Sequence, residues 1–175
     1  MHMARLSYVA NVVLLVALVV VIGSDARPRV AAHAGGPNQL AGSEAEEVRE
    51  TFSRYIQAYE KKDLETLSKI FANDDKLQAF WPDPTNPFRI EGWPEVRRGL
   101  AGYLPAITSM TVNIRQPSVQ LFGPVAIVSC HWSFAAAMGG KPQIGSGRGT
   151  YVFEKRAGGW VIIHLHESSM PVLGK

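Results

Sequence analysis

Residues 148–171 read RGTYVFEKRAGGWVIIHLHESSMP. Two runs rich in β-branched and aromatic residues, Gly147–Lys155 and Trp160–Ser168, flank the turn triplet Ala157-Gly158-Gly159. Such runs joined across glycines read as a β-hairpin. The same signature extends back along the chain. Met110–Leu121 and Val125–Ala136 read as strands separated by Phe122-Gly123-Pro124, and Met138-Gly139-Gly140 turns the chain into the hairpin. The C-terminal half therefore reads as an antiparallel meander.

Upstream the periodicity is helical. Ser43, with acidic Glu44, Glu46 and Glu47 behind it, has the pattern of a capping box. Val48, Phe52, Tyr55, Ile56 and Tyr59 then recur at helical spacing up to Lys61-Lys62. Asp63 reads as the cap of a second, short helix with Leu64, Leu67, Ile70 and Phe71 on its buried stripe. After a turn at Asn73-Asp74-Asp75, Leu77–Trp81 reads as a strand. The four prolines of Pro82–Pro94 exclude a helix interior or central strand there and leave room for a short strand near Phe88–Glu91. Pro94 suits the first position of a third helix, whose buried face is Val96, Leu100, Tyr103 and Leu104, and Pro105 ends it. Helices first and a meander last predict an α+β fold: a curved antiparallel sheet packed on three N-terminal helices.

The other end of the chain is not part of that domain. Val12–Ile22, VVLLVALVVVI, is an unbroken apolar run behind a single cation at Arg5. It is short for a bilayer span and fits a signal-peptide core, with small-residue cleavage candidates at Ser24-Asp25-Ala26 and Ala32-His33-Ala34. An uncleaved membrane anchor is the competing reading, because Tyr8–Ala10 lengthen the run. The expected organisation is thus residues 1–34 as signal or anchor, 35–42 as linker and 43–175 as the folded domain, in a protein exported to the periplasm or medium or tethered by its N-terminus. The pI near 9.1 owes much to the first segment. Without Arg5, Arg27, Arg29 and Asp25, Lys+Arg falls from 18 to 15 and Asp+Glu from 15 to 14. A near-neutral domain without a basic cluster argues against a nucleic-acid partner. The single cysteine, Cys130, excludes an intramolecular disulfide.

The quoted stretch also carries a resemblance. Thr150, Val152-Phe153, Lys155-Arg156, Gly158, Trp160, Ile162, His164, His166, Ser168 and Pro171 resemble the last hairpin of SnoaL-like domains of the nuclear-transport-factor-2-like superfamily. They are also similar to the association domain of calcium/calmodulin-dependent protein kinase II. The resemblance covers about Ser43–Val172 and implies a cone-shaped sheet with a ligand-sized hollow between sheet and helices. In the kinase domain the positions matching His131, Tyr151 and Glu167 are arginines lining that hollow. By resemblance these three side chains point inward here, as a histidine, a phenol and a carboxylate, and form the candidate catalytic set. A carboxylate beside an imidazole orients it and raises its pKa. Tyr55, Tyr59, Trp81, Trp93 and Tyr103 are the candidate ligand-binding aromatics, since rings with polar tips suit an apolar pocket. Asp74, Asp75 and Asp83 are carboxylates of the kind ketosteroid isomerases of this fold use, but all sit at turn signals.

Strict alternation along the last strand sets Val161, Ile163, Leu165 and Glu167 on one face and Trp160, Ile162, His164, His166 and Ser168 on the other. On that reading Trp160, Ile162 and Trp132 form an outer apolar patch, with Cys130 on the same side, and predict a homodimer packed sheet against sheet. The His164/His166 pair lacks an evident third ligand, so no metal is expected, and no cofactor motif is present. The expected function is a small-molecule pocket protein that binds an apolar compound or transforms it by proton transfer or hydration. The alternative is a non-catalytic exported binding or oligomerisation module.

Overall fold

The computed structural model describes residues 37–82 and 89–170, with side chains from Gly42 onward. The apolar run at Val12–Ile22, both cleavage candidates and Asp83 lie outside the described residues. Among the described residues no helix is long and apolar enough to cross a membrane.

Helix α1 runs Pro37–Lys61. It starts six residues before Ser43, so Ser43 lies inside the helix and the capping-box reading does not hold. Pro37 tolerates the first turn because its missing N–H would have no intrahelical acceptor there. Lys62 takes a left-handed backbone (φ 59°) that breaks the helix. Asp63 then caps α2, Leu64–Ile70, accepting a 2.9 Å bond from the Thr66 N–H. Short strands β1 (Gln78–Phe80) and β2 (Ile90–Glu91) bracket the proline-rich segment. Helix α3 spans Trp93–Tyr103 and ends in a 3-10 turn, Leu104–Ala106.

The meander follows as β3 (Ile107–Phe122), β4 (Val125–Met138), β5 (Lys141–Arg156) and β6 (Gly159–Ser169). The sheet has six strands in the order β2-β1-β6-β5-β4-β3. The pairings are antiparallel except that β1 runs parallel to β6, so the sheet is mixed rather than purely antiparallel. The α+β class stands as expected, with three helices against one sheet.

Two irregularities shape the sheet. On edge strand β3 the register shifts between Arg115 and Ser118, where Gln116 adopts φ 52° and Pro117 follows. A proline fits an edge strand at a bulge because no ladder bond needs its N–H. On β6 the partner of Val152 is His164 and that of Phe153 is Ile162, so Ile163 is an extra residue. That bulge inverts the alternation, and Trp160 and Ile162 join Leu165 in the core. The predicted outer patch of Trp160, Ile162 and Trp132 therefore does not exist: all three are buried.

The core gathers Val48, Phe52 and Tyr55 of α1, Leu67 and Ile70 of α2, Val96 and Leu100 of α3, and inward residues of the sheet. Polar ties fix α1 across it. Glu60 accepts the Val112 N–H at 2.7 Å, and Lys62 donates to the Ile107 carbonyl at 2.8 Å. Both occupy groups on an edge strand that would otherwise stay open to pairing. At the other end, the Trp160 indole donates to Glu47 at 3.2 Å and Lys155 pairs with Glu44 at 2.7 Å.

Candidate ligand site

A cavity of about 630 Å³ lies between the helices and the concave side of the sheet. Its aromatic wall includes Tyr55 and Tyr59 from α1, Trp81 after β1, Tyr103 of α3 and Trp132 of β4. Ile56, Leu100, Met110, Val112 and Ile114 supply much of the aliphatic wall. Tyr151 and Glu167 bring the most polar chemistry to it.

Cross-strand pairing explains which side chains face inward, because directly opposed residues share a face. Cys130 pairs with Gly149 and Gly149 with Glu167, so all three belong to the inner face. Trp132 opposes Gly147 and Phe134 opposes Gly145 on the same side. His131 must then point outward, into a row with Arg115, Arg148 and Ser168. This corrects two expectations at once. His131 is not in the cavity and forms no pair with Glu167, whereas Cys130 and Trp132 are inward.

The inner face of β5 is a stripe of glycines, Gly145, Gly147 and Gly149, beneath the rings of neighbouring residues. A Cβ added at Gly145 would lie 2.6 Å from the Phe134 ring, and one at Gly149 would lie 2.7 Å from the Tyr151 ring and 2.9 Å from its hydroxyl. At Gly147 a Cβ would collide with the Trp132 ring and the Ser168 carbonyl. The bare backbone at Gly149 lets Tyr151 lie back along β5 and reach across to Glu167. Its hydroxyl donates to Glu167 Oε1 at 2.5 Å. Charge-assisted O–H···O⁻ bonds fall in this short range.

Protein atoms crowd the Glu167 carboxyl closely enough to strip its solvation, although the residue keeps some accessible surface at the cavity. Burial pushes its pKa up to about 6, against the partial opposing effect of the Tyr151 hydrogen bond. At neutral pH it is mostly ionised, but it titrates near physiological pH, as a group that exchanges protons must. The phenols of Tyr55 and Tyr151 are held well above their ordinary range by burial first and the Glu167 charge second, as is Tyr59. All three stay protonated donors. Burial, helped by Glu167, raises the Cys130 thiol to about 11, so it is no nucleophile at neutral pH.

Of the aromatics singled out in the sequence, Tyr55, Tyr59, Trp81 and Tyr103 line the cavity. Trp93 does not: it stacks on Phe71 at 5.7 Å and serves the core. Asp74 is spent on Arg156 at 2.8 Å and on the turn, where it accepts the Lys76 N–H. Sequence reasoning missed Trp132, Phe134 and the glycine stripe. The signal was present in Gly145-Ser146-Gly147-Arg148-Gly149, where glycine at every second position of a strand marks a face that something else fills. At the cavity wall the Trp81 indole N–H is directed to the Tyr55 hydroxyl, while the buried Trp132 indole N–H has no acceptor among the described residues. An unpartnered buried donor costs about 1–3 kcal/mol until a partner accepts from it. His164 and His166 lie on the outer face against Phe80, at ring separations of 5.9 and 5.4 Å. No group of three metal-ligating side chains occurs among the described residues.

The SnoaL-like domain family matches residues 48–173, nearly all of the helix-and-sheet unit. The chain belongs to the SnoaL-like family. Solved structures agree on the architecture. A nuclear-transport-factor-2-like superfamily protein from Salmonella enterica serovar Typhimurium is 22% identical with a TM-score of 0.68, the match covering 77% of this chain and 96% of that one. A proposed dehydratase of the same superfamily from Streptomyces avermitilis is 21% identical at TM-score 0.68, over 75% and 99%. The calcium/calmodulin-dependent kinase II hub of S. rosetta is 20% identical at TM-score 0.61, over 78% and 99%. At these identities the likeness is one of fold. A search of curated proteins finds no match. The cavity of this SnoaL-like domain carries a tyrosine–glutamate pair in an aromatic wall.

Proposed function

We propose that this SnoaL-like domain binds an apolar small molecule in its cavity and that the Tyr151–Glu167 pair orients the ligand or moves a proton on it. One observation carries the reading: a carboxyl titrating near 6 and held by a 2.5 Å phenol bond at the wall of a hollow otherwise rich in aromatic and aliphatic side chains. The ionised carboxylate, held by Tyr151, accepts a proton from a ligand carbon or from a water, and a neighbouring phenol, Tyr55 or Tyr59, donates to the oxygen where charge builds, because the Tyr151 proton is given to Glu167. Proton transfer, hydration and dehydration all need that base–donor pairing. The dehydratase assignment of the Streptomyces relative is compatible with it. His131, on the far side of the sheet, has no part in it.

The test is a thermal-shift screen of apolar compounds against the wild type, Glu167→Gln and Tyr151→Phe, followed by turnover assays on the hits. A ligand raises the melting temperature by mass action. The reading requires hits on the wild type that both variants weaken while staying folded. Equal shifts in all three proteins would refute a role for the pair.

The partly buried Phe80 on the outer sheet face, with His164 and His166 beside it, favours a second reading, in which that face assembles with another copy. Light scattering of the wild type and Phe80→Ser decides it, a dimer lost in the variant being the supporting result. We also propose export or N-terminal tethering from the Val12–Ile22 run, to be tested by cell fractionation and N-terminal sequencing.

A further inference from the structure

The charge in the cavity is one-sided. Glu167 reaches it, while no lysine, arginine or histidine is among the described residues that line it. The titratable groups facing Glu167 are Tyr55 and Tyr59 from α1, Cys130 from β4 and Tyr151 from β5, all neutral at pH 7. Trp81, just after β1, and Gly99, Leu100 and Tyr103 of α3 add no charge to the lining. Of the basic side chains on or beside the flanking helices, Arg54 bonds Thr51, Lys62 the Ile107 carbonyl and Arg98 Glu95, while Lys61 and Arg97 are exposed and outside the cavity lining. Among the described residues the carboxylate therefore stands in a largely apolar hollow with one phenol bond and no counter-ion. A desolvated charge in that condition is costly, and a cation placed beside it offsets the cost. The surrounding wall is suited to one. Faces of tyrosine and tryptophan rings attract cations, and such rings around an acid are a setting for ammonium groups.

We propose that the ligand is a protonated amine or quaternary ammonium on an apolar body, with Glu167 as its counter-ion and Tyr55, Tyr59, Trp81 and Trp132 as its aromatic enclosure. This rests on the cavity being a ligand site. A carboxylate-bearing ligand meets repulsion and no cation, and a neutral one leaves the Glu167 charge uncompensated. The volume of about 630 Å³ admits a drug-sized body behind the ammonium.

The experiment uses the full chain and three probes that share one body: 4-phenylbutylamine, 4-phenylbutanol and 4-phenylbutyrate. Binding is read by calorimetry and tryptophan fluorescence. At about pH 7.5 the amine binds at least roughly ten-fold more tightly than the alcohol, and the acid most weakly. Amine affinity falls by about ten-fold toward pH 5 as Glu167 takes up its proton, while alcohol affinity stays level. In Glu167→Gln the amine loses its advantage and the alcohol still binds. An alcohol equal to the amine on the wild type, a flat pH profile for the amine, or a preference that survives Glu167→Gln overturns the amine assignment and leaves the cavity a ligand site. Binding of none of the three overturns the ligand-site reading together with it.

Discussion

At the residue scale, Glu167 is a destabilising charge retained in a wall that could have been apolar. An unfolded glutamate releases its proton near 4.5, and this one holds it to about 6. Between those values the folded chain binds more protons than the unfolded one, so stability falls as pH rises through the window. The displacement corresponds to a cost of up to about 2 kcal/mol at neutral pH. Glu167→Gln, which keeps an acceptor for Tyr151, should raise the melting temperature at pH 7.5 and leave it nearly unchanged at pH 4.5; urea melts at both values check this. Tyr151→Phe has the opposite effect. It strips the carboxylate of its donor, costs about 1–3 kcal/mol at neutral pH and moves the Glu167 titration further up, which carboxyl NMR would follow. Gly149→Ala puts a methyl where the Tyr151 ring lies and should cost about 1–3 kcal/mol. Its specific signature is that the Tyr151–Glu167 coupling weakens even where the fold survives.

At the element scale, one extra residue in β6 decides which side chains are core. With Ile163 as a bulge, Trp160 and Ile162 face the helices while His164 and His166 face outward. A strict period of two places Trp160 with His164, and it fails here because nothing local in Val161-Ile162-Ile163 marks the bulge: all three are β-branched and each fits either face. What selects it is the packing of Trp160 against α1, where its indole bonds Glu47. Trp160→Ala should therefore behave as a core truncation, costing about 3–5 kcal/mol in denaturant unfolding. The helices were more legible. Asp63 and Pro94 announce α2 and α3 because capping and proline chemistry act within one turn. The start of α1 was hidden, since Ser43 and its following acids suit a cap as well as an exposed helical face.

At the scale of the whole molecule, the inward position of Trp132 and Trp160 predicts that their substitution changes stability and cavity binding but not association. Sedimentation of Trp132→Leu and Trp160→Leu beside Phe80→Ser would separate the two effects; an assembly state altered by Trp132→Leu alone would contradict the inward assignment. From the sequence by itself came the α+β class, the succession of helices and strands, and the family likeness carried by the last hairpin. These follow from propensity, periodicity and turn chemistry, which are short-range. The wall of the cavity was decided only by the tertiary structure. A shift of one residue in register moves a side chain through the sheet, so Cys130 and Trp132 exchange places with His131 without any change in local preference. The Tyr151–Glu167 pair likewise depends on Gly149 lying opposite Glu167 on the neighbouring strand, a relation between residues distant in the chain that only folding creates.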